Sequence, residues 1–440
     1  MNKIPLLGRL RSLFDTLRGN YWFVPMVMAF GAGAAAFGLV EVDRRFLTEP
    51  IPWISSTDAD GTRAVLSVIA GSMITVTGVV FSITVVALTL ASSQFGPRLL
   101  RNFLRDRANQ LAFGTFVATF LYSLLVLRAV RADEIPHLAA TVAVVLAAAS
   151  LFVLIYFIHH TATSIQASSV IAAVANEIEP HLRSLFPEQM GSEEIERASL
   201  SIESSRRQLE ADGVEVRASR EGFVRIVDEE TILRLAVAQD AVILLHRRPG
   251  DFIAAGSILA RVAPGDTVEK LGSALQESFI VGDHRTPVQD LEFLIGQLTE
   301  IALRALSPGI NDPRTAIDCV HRLGAVVSSV IEREMPSGIR HDEDGRLRVL
   351  APPTTFEQIV ASCFDPVRRY GAGHVAVVVA TLDALRDAGE RSTDPGRRSI
   401  LASQAVEIHA ASVAEDPSAR DLAIIQEAFD RAMKQIEDAS

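Results

Sequence analysis

Cysteine is nearly absent. Cys319 and Cys363 are the two among 440 residues, and neither belongs to a CxxC pair. A disulfide framework and a sulfur-based zinc site are thereby excluded, and a reducing compartment suits the chain. Also missing are the strings on which common enzyme chemistry is built: a GxSxG elbow, a phosphate-cradling GxxxxGK[ST], an HExxH helix, or a GxGxxG opening a helix after a strand. Cys319 and His321 stand too close on one helix to act as nucleophile and base. An enzyme is therefore not expected, and no catalytic residue, cofactor or metal ligand is assigned. Lys and Arg form no extended tract beyond the apolar N-terminal region, and the net charge is -11. Such a balance argues against nucleic acid as a partner.

What is present is segregated along the chain. Apolar residues make up 49% and charged residues 22%, with a positive mean hydropathy. Up to Ile158 nearly everything outside short connections is apolar, whereas Asp, Glu and Arg crowd the remainder. The length favours two or three units. The pattern divides into a transmembrane domain at 1–163, a helical stalk and linker at 164–213, a small β-rich module at 214–282 and a helical cytoplasmic domain at 283–440. The expected fold class is membrane α-helical with four transmembrane helices, plus an α+β cytoplasmic region holding a small β barrel-like module and a helical bundle.

Four apolar runs, at 21–40, 64–93, 111–127 and 138–158, carry the membrane reading. A hydrocarbon core about 30 Å thick needs roughly 20 helical residues. Helices follow because lipid offers no partner to backbone polar groups. The first run leads into Glu41-Val-Asp-Arg-Arg45 rather than a small-residue cleavage site, so it reads as a retained span. Lys3, Arg9, Arg11 and Arg18 precede it, and Arg98, Arg101, Arg105 and Arg107 lie between the second and third runs. In the first outer connection Arg44, Arg45 and Arg63 are diluted by Glu41, Asp43, Glu49, Asp58 and Asp60. Positive residues are retained inside, which places both termini in the cytoplasm of a bacterial plasma membrane. The short mixed connection from Arg128 to His137 predicts a tight hairpin between the last two spans.

The second run carries no charge between Arg63 and Arg98, long enough for a tilted helix that projects beyond the lipid. Ser67, Gly71, Thr75, Gly78, Ser82 and Thr89 recur at steps of three, four or seven and share one helical face. Such a face permits close helix packing, or it lines an uncharged, hydroxyl-bearing permeation path when several copies surround an axis. No acidic or basic residue lies inside any span, which argues against a proton relay or an ion-coupled transporter. His159 and His160 are adjacent and point apart on a helix, so no metal site is expected there. Gly96 and Pro97 break the second helix, and the segment at 99–107 reads as amphipathic, lying at the inner membrane surface.

Beyond the last span a helical stalk runs from Ser164 to Leu185, punctuated at its end by Pro180 and Pro187, and a polar linker follows. From Val214 short strand-like pieces appear at 215–217, 223–227, 241–245 and 257–262, with a helix inserted at 228–238. The order has the shape of the small β modules of lipoyl or biotinyl domains. No lysine stands at the hairpin turn, so no such cofactor is expected. Next, 283–290 leads into a helix whose apolar positions Leu291, Leu294, Ile295, Leu298, Ile301, Ala302 and Ala305 keep helical spacing, and 307–313 breaks it. Asn311 or Asp312 caps the following helix, with Pro313 in its first turn. Arg285, Asp290, Arg304, Asn311, Asp312, Arg314 and Asp318 are candidates for a cluster around this loop, either a structural network or a site for an ion or small ligand. A charged connection at 336–353 precedes helical patterns at 354–388, 397–415 and 419–437, the material of a bundle.

Three strings carry a family resemblance: Arg285-Thr-Pro-Val-Gln-Asp290, Ala305-Leu-Ser-Pro-Gly-Ile-Asn-Asp-Pro-Arg-Thr-Ala316 and Gln94-Phe-Gly-Pro-Arg-Leu-Leu100. With them the chain resembles, over nearly its whole length, the bacterial predicted membrane proteins grouped as domain of unknown function 2254. The resemblance implies an N-terminal membrane region with a cytoplasmic domain, and it supplies no activity. Two functional expectations stand. One is an oligomeric channel or channel-like transport protein with a cytoplasmic regulatory domain. The other is a membrane-tethered sensor or scaffold that does not conduct.

Overall fold

The computed structural model describes residues 22–46, 58–96, 106–132, 134–186 and 205–438. The chain divides into two compact units, 1–170 and 171–440. Four helices of the first unit are long and apolar enough to cross a membrane: α1 (Phe23–Phe46), α2 (Ala59–Phe95), α3 (Arg107–Ala129) and α4 (His137–Ser164). Each reaches beyond the apolar run that announced it, because polar residues at its ends still find helical partners. α1 takes in Glu41, Asp43, Arg44 and Arg45, which the sequence had placed in a connection. The 99–105 part of the expected amphipathic segment, Pro187, and Lys3, Arg9, Arg11 and Arg18 lie outside the described residues.

The ends of the spans explain this extension. Asp43 is buried, and its carboxylate accepts the backbone N–H groups of Leu138 and Ala139 at 3.1 and 2.9 Å. It thereby satisfies two of the orphan donors at the start of α4 and complements the positive end of that helix. Arg44 pairs with Glu134 at 2.9 Å, and Arg63 donates to the Val130 carbonyl at 3.1 Å. At the opposite end Asp106 caps α3 through the Ala108 N–H and meets His160 Nε2 of α4 at 2.5 Å. Between the ends, α3 and α4 form the expected hairpin. Tyr122 donates to the Ala139 carbonyl at 2.9 Å, and the Thr119 and Ser150 hydroxyls meet at 3.2 Å.

In the second unit α5 (Ala167–Leu185), within which the division falls, holds Pro180 in its interior rather than at its end. A helical stretch at 205–212 precedes the sheets. These comprise β1 (Val214–Arg217), β2 (Gly222–Val227), β3 (Val242–Leu245), β4 (Phe252–Ile253), β5 (Ile258–Ala263) and β6 (Phe279–Gly282), with α6 (Glu229–Ala238) after β2 and α7 (Val268–Glu277) before β6. No closed barrel forms among the described residues. Two open sheets form, in the orders β1-β5-β3-β8-β7 and β4-β2-β6, and they do not close. The reason lies far along the chain: β7 (Ile339–His341) and β8 (Leu347–Leu350) form a hairpin inside the stretch read as a connection, and β8 pairs in parallel with β3 through Ile243↔Val349. Buried Arg348 of β8 fixes the hairpin by pairing with Asp240 and Asp342, each at 2.7 Å. The sheets, α6 and α7 share one core around Val224, Ile232, Ile243, Leu259 and Leu275.

Six helices complete the unit: α8 (Leu291–Ala305), α9 (Pro313–Val330), α10 (Phe356–Gly371), α11 (Val375–Gly389), α12 (Pro395–Ala414) and α13 (Ala419–Asp438). Their apolar stripes bury Leu298, Leu323, Phe364 and Leu385 completely. α9 and α11 approach closely at Gly324, where a Cβ would stand 2.7 Å from that of Ala384. Arg333, buried after α9, donates to the Phe186 carbonyl at 3.1 Å and so ties down the end of α5.

Candidate functional site

α2 has 37 residues, about 55 Å at 1.5 Å per residue and longer than the hydrocarbon core. Its inward face buries Leu66, Ala70, Thr77, Val80, Thr84 and Ala91. Ser67, Gly71, Thr75, Gly78, Ser82 and Thr89 are all exposed on the remainder of the helix. A Cβ added at Gly71 or Gly78 would meet nothing within 4 Å. The small residues therefore serve no close packing within the described chain. The Thr75, Ser82 and Thr89 hydroxyls donate to the carbonyls of Gly71, Gly78 and Val85, each at 2.9 Å. Their hydrogens are committed to the helix, and what they offer outward is oxygen lone pairs.

In the second unit the expected cluster separates. Arg285 grips Asp290 with both arms of its guanidinium, Nε to Oδ2 at 2.7 Å and Nη2 to Oδ1 at 2.8 Å. Asp290 is buried and also caps α8, accepting the Phe293 N–H at 3.0 Å. Burial works against the Arg285 charge, but the hydrogen bond and charge of Asp290, together with the charges of Glu292 and Asp251, more than offset it and raise the Arg285 pKa above its ordinary value. The turn before β4 closes over this pair: at Gly250, with φ of 97°, a Cβ would stand 2.6 Å from Asp290 Oδ2.

The other candidates sit at or beyond the far end of α8, whose 15 residues span about 22 Å. Asp312 caps α9 by accepting the Thr315 N–H at 3.2 Å and its hydroxyl at 2.6 Å. Asn311 adopts the left-handed conformation, φ 48°, that turns the chain there. Arg304 donates to Glu300 one turn back on its own helix at 3.4 Å. Arg314 and Asp318 lie 3.9 Å apart on α9, and the Arg314 side chain is 86% exposed. Arg285 and Asp290 thus form one structure, and Asn311 and Asp312 form another.

Asp290 also borders a cleft of about 580 Å³, within the range of roughly 300–1,000 Å³ typical of small-molecule sites. Its apolar lining includes Phe186, Ile226, Leu245 and Ile280. Its charged lining is organised into pairs between elements: Arg248 to Glu292 at 2.9 Å, and Arg340 of β7 to Glu229 of α6 at 2.7 Å. Arg248 also reaches Gln358 of α10 at 3.2 Å. Arg247 commits its Nε to the Ile258 carbonyl at 3.2 Å. No single stretch of sequence announces this cleft, because its wall is gathered from positions between 184 and 354. The local signals were the turn residues at 249–250, 336–338 and 352–353.

These features can be set beside known proteins. The model of the family described as Predicted membrane protein (DUF2254) matches residues 18–387. The chain belongs to this family. An uncharacterized protein of Mycobacterium bovis is 34% identical over 450 residues, covering 98% of this chain and 84% of that protein. An uncharacterized protein of Mycobacterium tuberculosis strain H37Rv matches with the same identity and coverage. No solved structure matches the chain. The family match takes in all four spans, both sheets, the Arg285–Asp290 pair and the Asn311–Asp312 turn, and it ends within α11. This chain is thus a membrane protein of that family, and α12 and α13 lie beyond the matched region.

Proposed function

We propose that the chain assembles into a homo-oligomeric, channel-like transport protein of the bacterial plasma membrane, with the second unit in the cytoplasm as a regulatory domain. The observation that carries this reading is the face of α2. It is uncharged, bears Ser67, Gly71, Thr75, Gly78, Ser82 and Thr89, and has no packing partner for its glycines among the described residues. In lipid, faces of small residues are the ones on which helices of separate copies approach closely. Hydroxyl oxygens whose hydrogens are already used suit cations better than anions. The distribution of arginine supports both termini inside. The function proposed is not enzymatic, and it takes lipid and a permeating ion as partners rather than nucleic acid or a resident cofactor.

A second reading is favoured by one separate feature, the 580 Å³ cleft beside Asp290. In that reading the protein is a membrane-tethered sensor or scaffold that binds a small ligand and does not conduct. One experiment separates the two. The purified protein is placed in liposomes, ion flux is recorded, and oligomeric mass is measured in the same detergent preparation. Flux from a defined oligomer, lost in Ser82→Leu with the mass unchanged, supports the channel. A silent monomer or dimer moves the assignment to the sensor.

A further inference from the structure

The membrane unit holds a second polar feature, on the opposite side of α2 from the exposed glycines. α2, α3 and α4 enclose a cavity of about 10 Å³, room for one water-sized sphere, lined by Thr84, Asn109, Thr161 and Ser164 together with apolar neighbours on α2. Asn109 and Thr161 are 5% and 7% exposed, and Asn109 Oδ1 and Thr161 Oγ1 are buried without a hydrogen-bond partner. Two orphaned oxygens in one place are costly unless something occupies the space between them. We propose that the cavity binds a single small monovalent cation, sodium by size.

The donor chemistry points that way. The Thr84 hydroxyl gives its hydrogen to the Val80 carbonyl at 2.8 Å, and the Ser164 hydroxyl gives its own to the Thr161 carbonyl at 3.1 Å. Asn109 Oδ1 is an acceptor by nature. The Thr84, Ser164 and Asn109 oxygens offer lone pairs, and the Thr161 hydroxyl can present its own, a lining that suits a cation better than an anion. α4 ends at Ser164, so the negative end of its dipole lies at the cavity. Helix C-termini and neutral oxygens of this kind hold sodium in membrane transporters.

The charge nearby is also suited to one positive ion. Asp106 stands one helical turn before Asn109, and His160 precedes Thr161 directly. The two are paired at 2.5 Å. The flanking Arg107 and His159 are exposed, and α2 contributes no charge from Val65 to Phe95. With His160 neutral, the single Asp106 carboxylate balances a monovalent ion and not a divalent one. A bound water is the competing occupant, because the volume admits it. Its two hydrogens would serve two of the four oxygens. The proposal is independent of whether the protein conducts.

The test uses the full-length protein in detergent and does not measure flux. Melting curves are recorded in sodium chloride and in N-methyl-D-glucamine chloride at equal ionic strength, and retention of radioactive sodium is measured on the folded protein. A melting temperature that rises saturably with sodium is expected, because a ligand that binds the folded state alone stabilises it by mass action. About one sodium retained per chain is expected alongside it. Thr161→Val, which keeps shape while removing the oxygen, and Asn109→Leu should abolish both responses. If Asn109→Leu does not fold, Thr161→Val alone decides. Equal melting in the two salts with no retained sodium would assign the cavity to water and overturn the proposal, as would a full sodium response in the folded Thr161→Val protein.

Discussion

At the scale of single residues, Asp290 joins three structures at once. It caps α8, holds Arg285 by two hydrogen bonds and closes against the turn at Gly250. Its side chain is 4% exposed whereas that of Arg285 is 28% exposed, so water shares the arginine charge but not the carboxylate. Asp290→Ala would remove the cap and leave a partly buried guanidinium unpaired, at a cost of about 3 kcal/mol. Asp290→Asn, which can still accept from Phe293, should cost less. Thermal unfolding of the two variants checks the order, and equal losses would show that the cap contributes little beyond the charge pairing. The cysteines give a second test at this scale. Burial pushes the Cys319 thiol up to about 12, with the Asp318 charge adding to it, and burial alone raises Cys363 further. Neither forms thiolate near neutral pH. Both should resist maleimide in the folded protein and react after denaturation, and fast labelling of the native state would contradict their burial. The sequence singled out Arg285 and Asp290 as members of one polar group, and their pairing and the Asp290 cap emerge only in the folded chain. Their separation from Asn311, Asp312 and Arg314 was not legible, because it is the length of α8 in the folded chain that carries those residues away.

Among the elements, turns and caps make the sharpest contrasts. Gly250 and Gly256 both have positive φ, 97° and 84°. A Cβ at Gly256 meets nothing within 4 Å, whereas one at Gly250 collides with the Asp290–Arg285 pair. Gly256→Ala should therefore cost the backbone strain alone, about 1 kcal/mol. Gly250→Ala should cost that strain and the displacement of a buried ion pair, and a melting point lowered equally by both would refute this account of the turn. At α9 the Thr315 hydroxyl holds the Asp312 carboxyl below its ordinary value, burial opposes the shift, and the backbone N–H groups of Thr315 and Arg314 reinforce it. A depressed folded-state pKa means that the cap stabilises fully above the unfolded value and loses its effect as pH falls through the folded value. Asp312→Ala should cost about 1 kcal/mol near neutral pH, and the gap from the unmodified protein should shrink below about pH 4. A gap unchanged down to that acidity would show that the charge of Asp312 plays no part. The strands divide by how local their signals are. β1, β2, β3, β5 and α6 were readable as short strand-like pieces between turn signals with a helix inserted among them. β4 has two residues, and β7 and β8 find their place only through β3, more than ninety positions earlier. Nothing local marks such pairing, so the five-stranded order is not readable from the sequence.

For the whole molecule, the division into an apolar and a charged half was written in composition, because lipid and water select opposite residues. The end of the bundle that holds Asp43 was less legible. Asp43 was counted among connection charges, and only the folded chain shows it capping α4 from a neighbouring span. The same one-dimensional reading found the small-residue face of α2 but could not say which way it turns. Its exposure now allows a test of assembly separate from the test of conduction. Gly71 and Gly78 have open space where a side chain would go, so leucine at both positions should leave each chain's own packing intact. Helices also favour leucine over glycine, so the single chain has no reason to lose stability. If copies meet on this face, two bulky side chains hold the backbones apart and the contact fails. The Gly71→Leu, Gly78→Leu protein should then have a lower oligomeric mass in the detergent that preserves the parent assembly, while its melting temperature stays level or rises. A mass unchanged by both substitutions would mean that the copies meet elsewhere, and the glycines of α2 would then face lipid or an open path rather than a neighbouring helix.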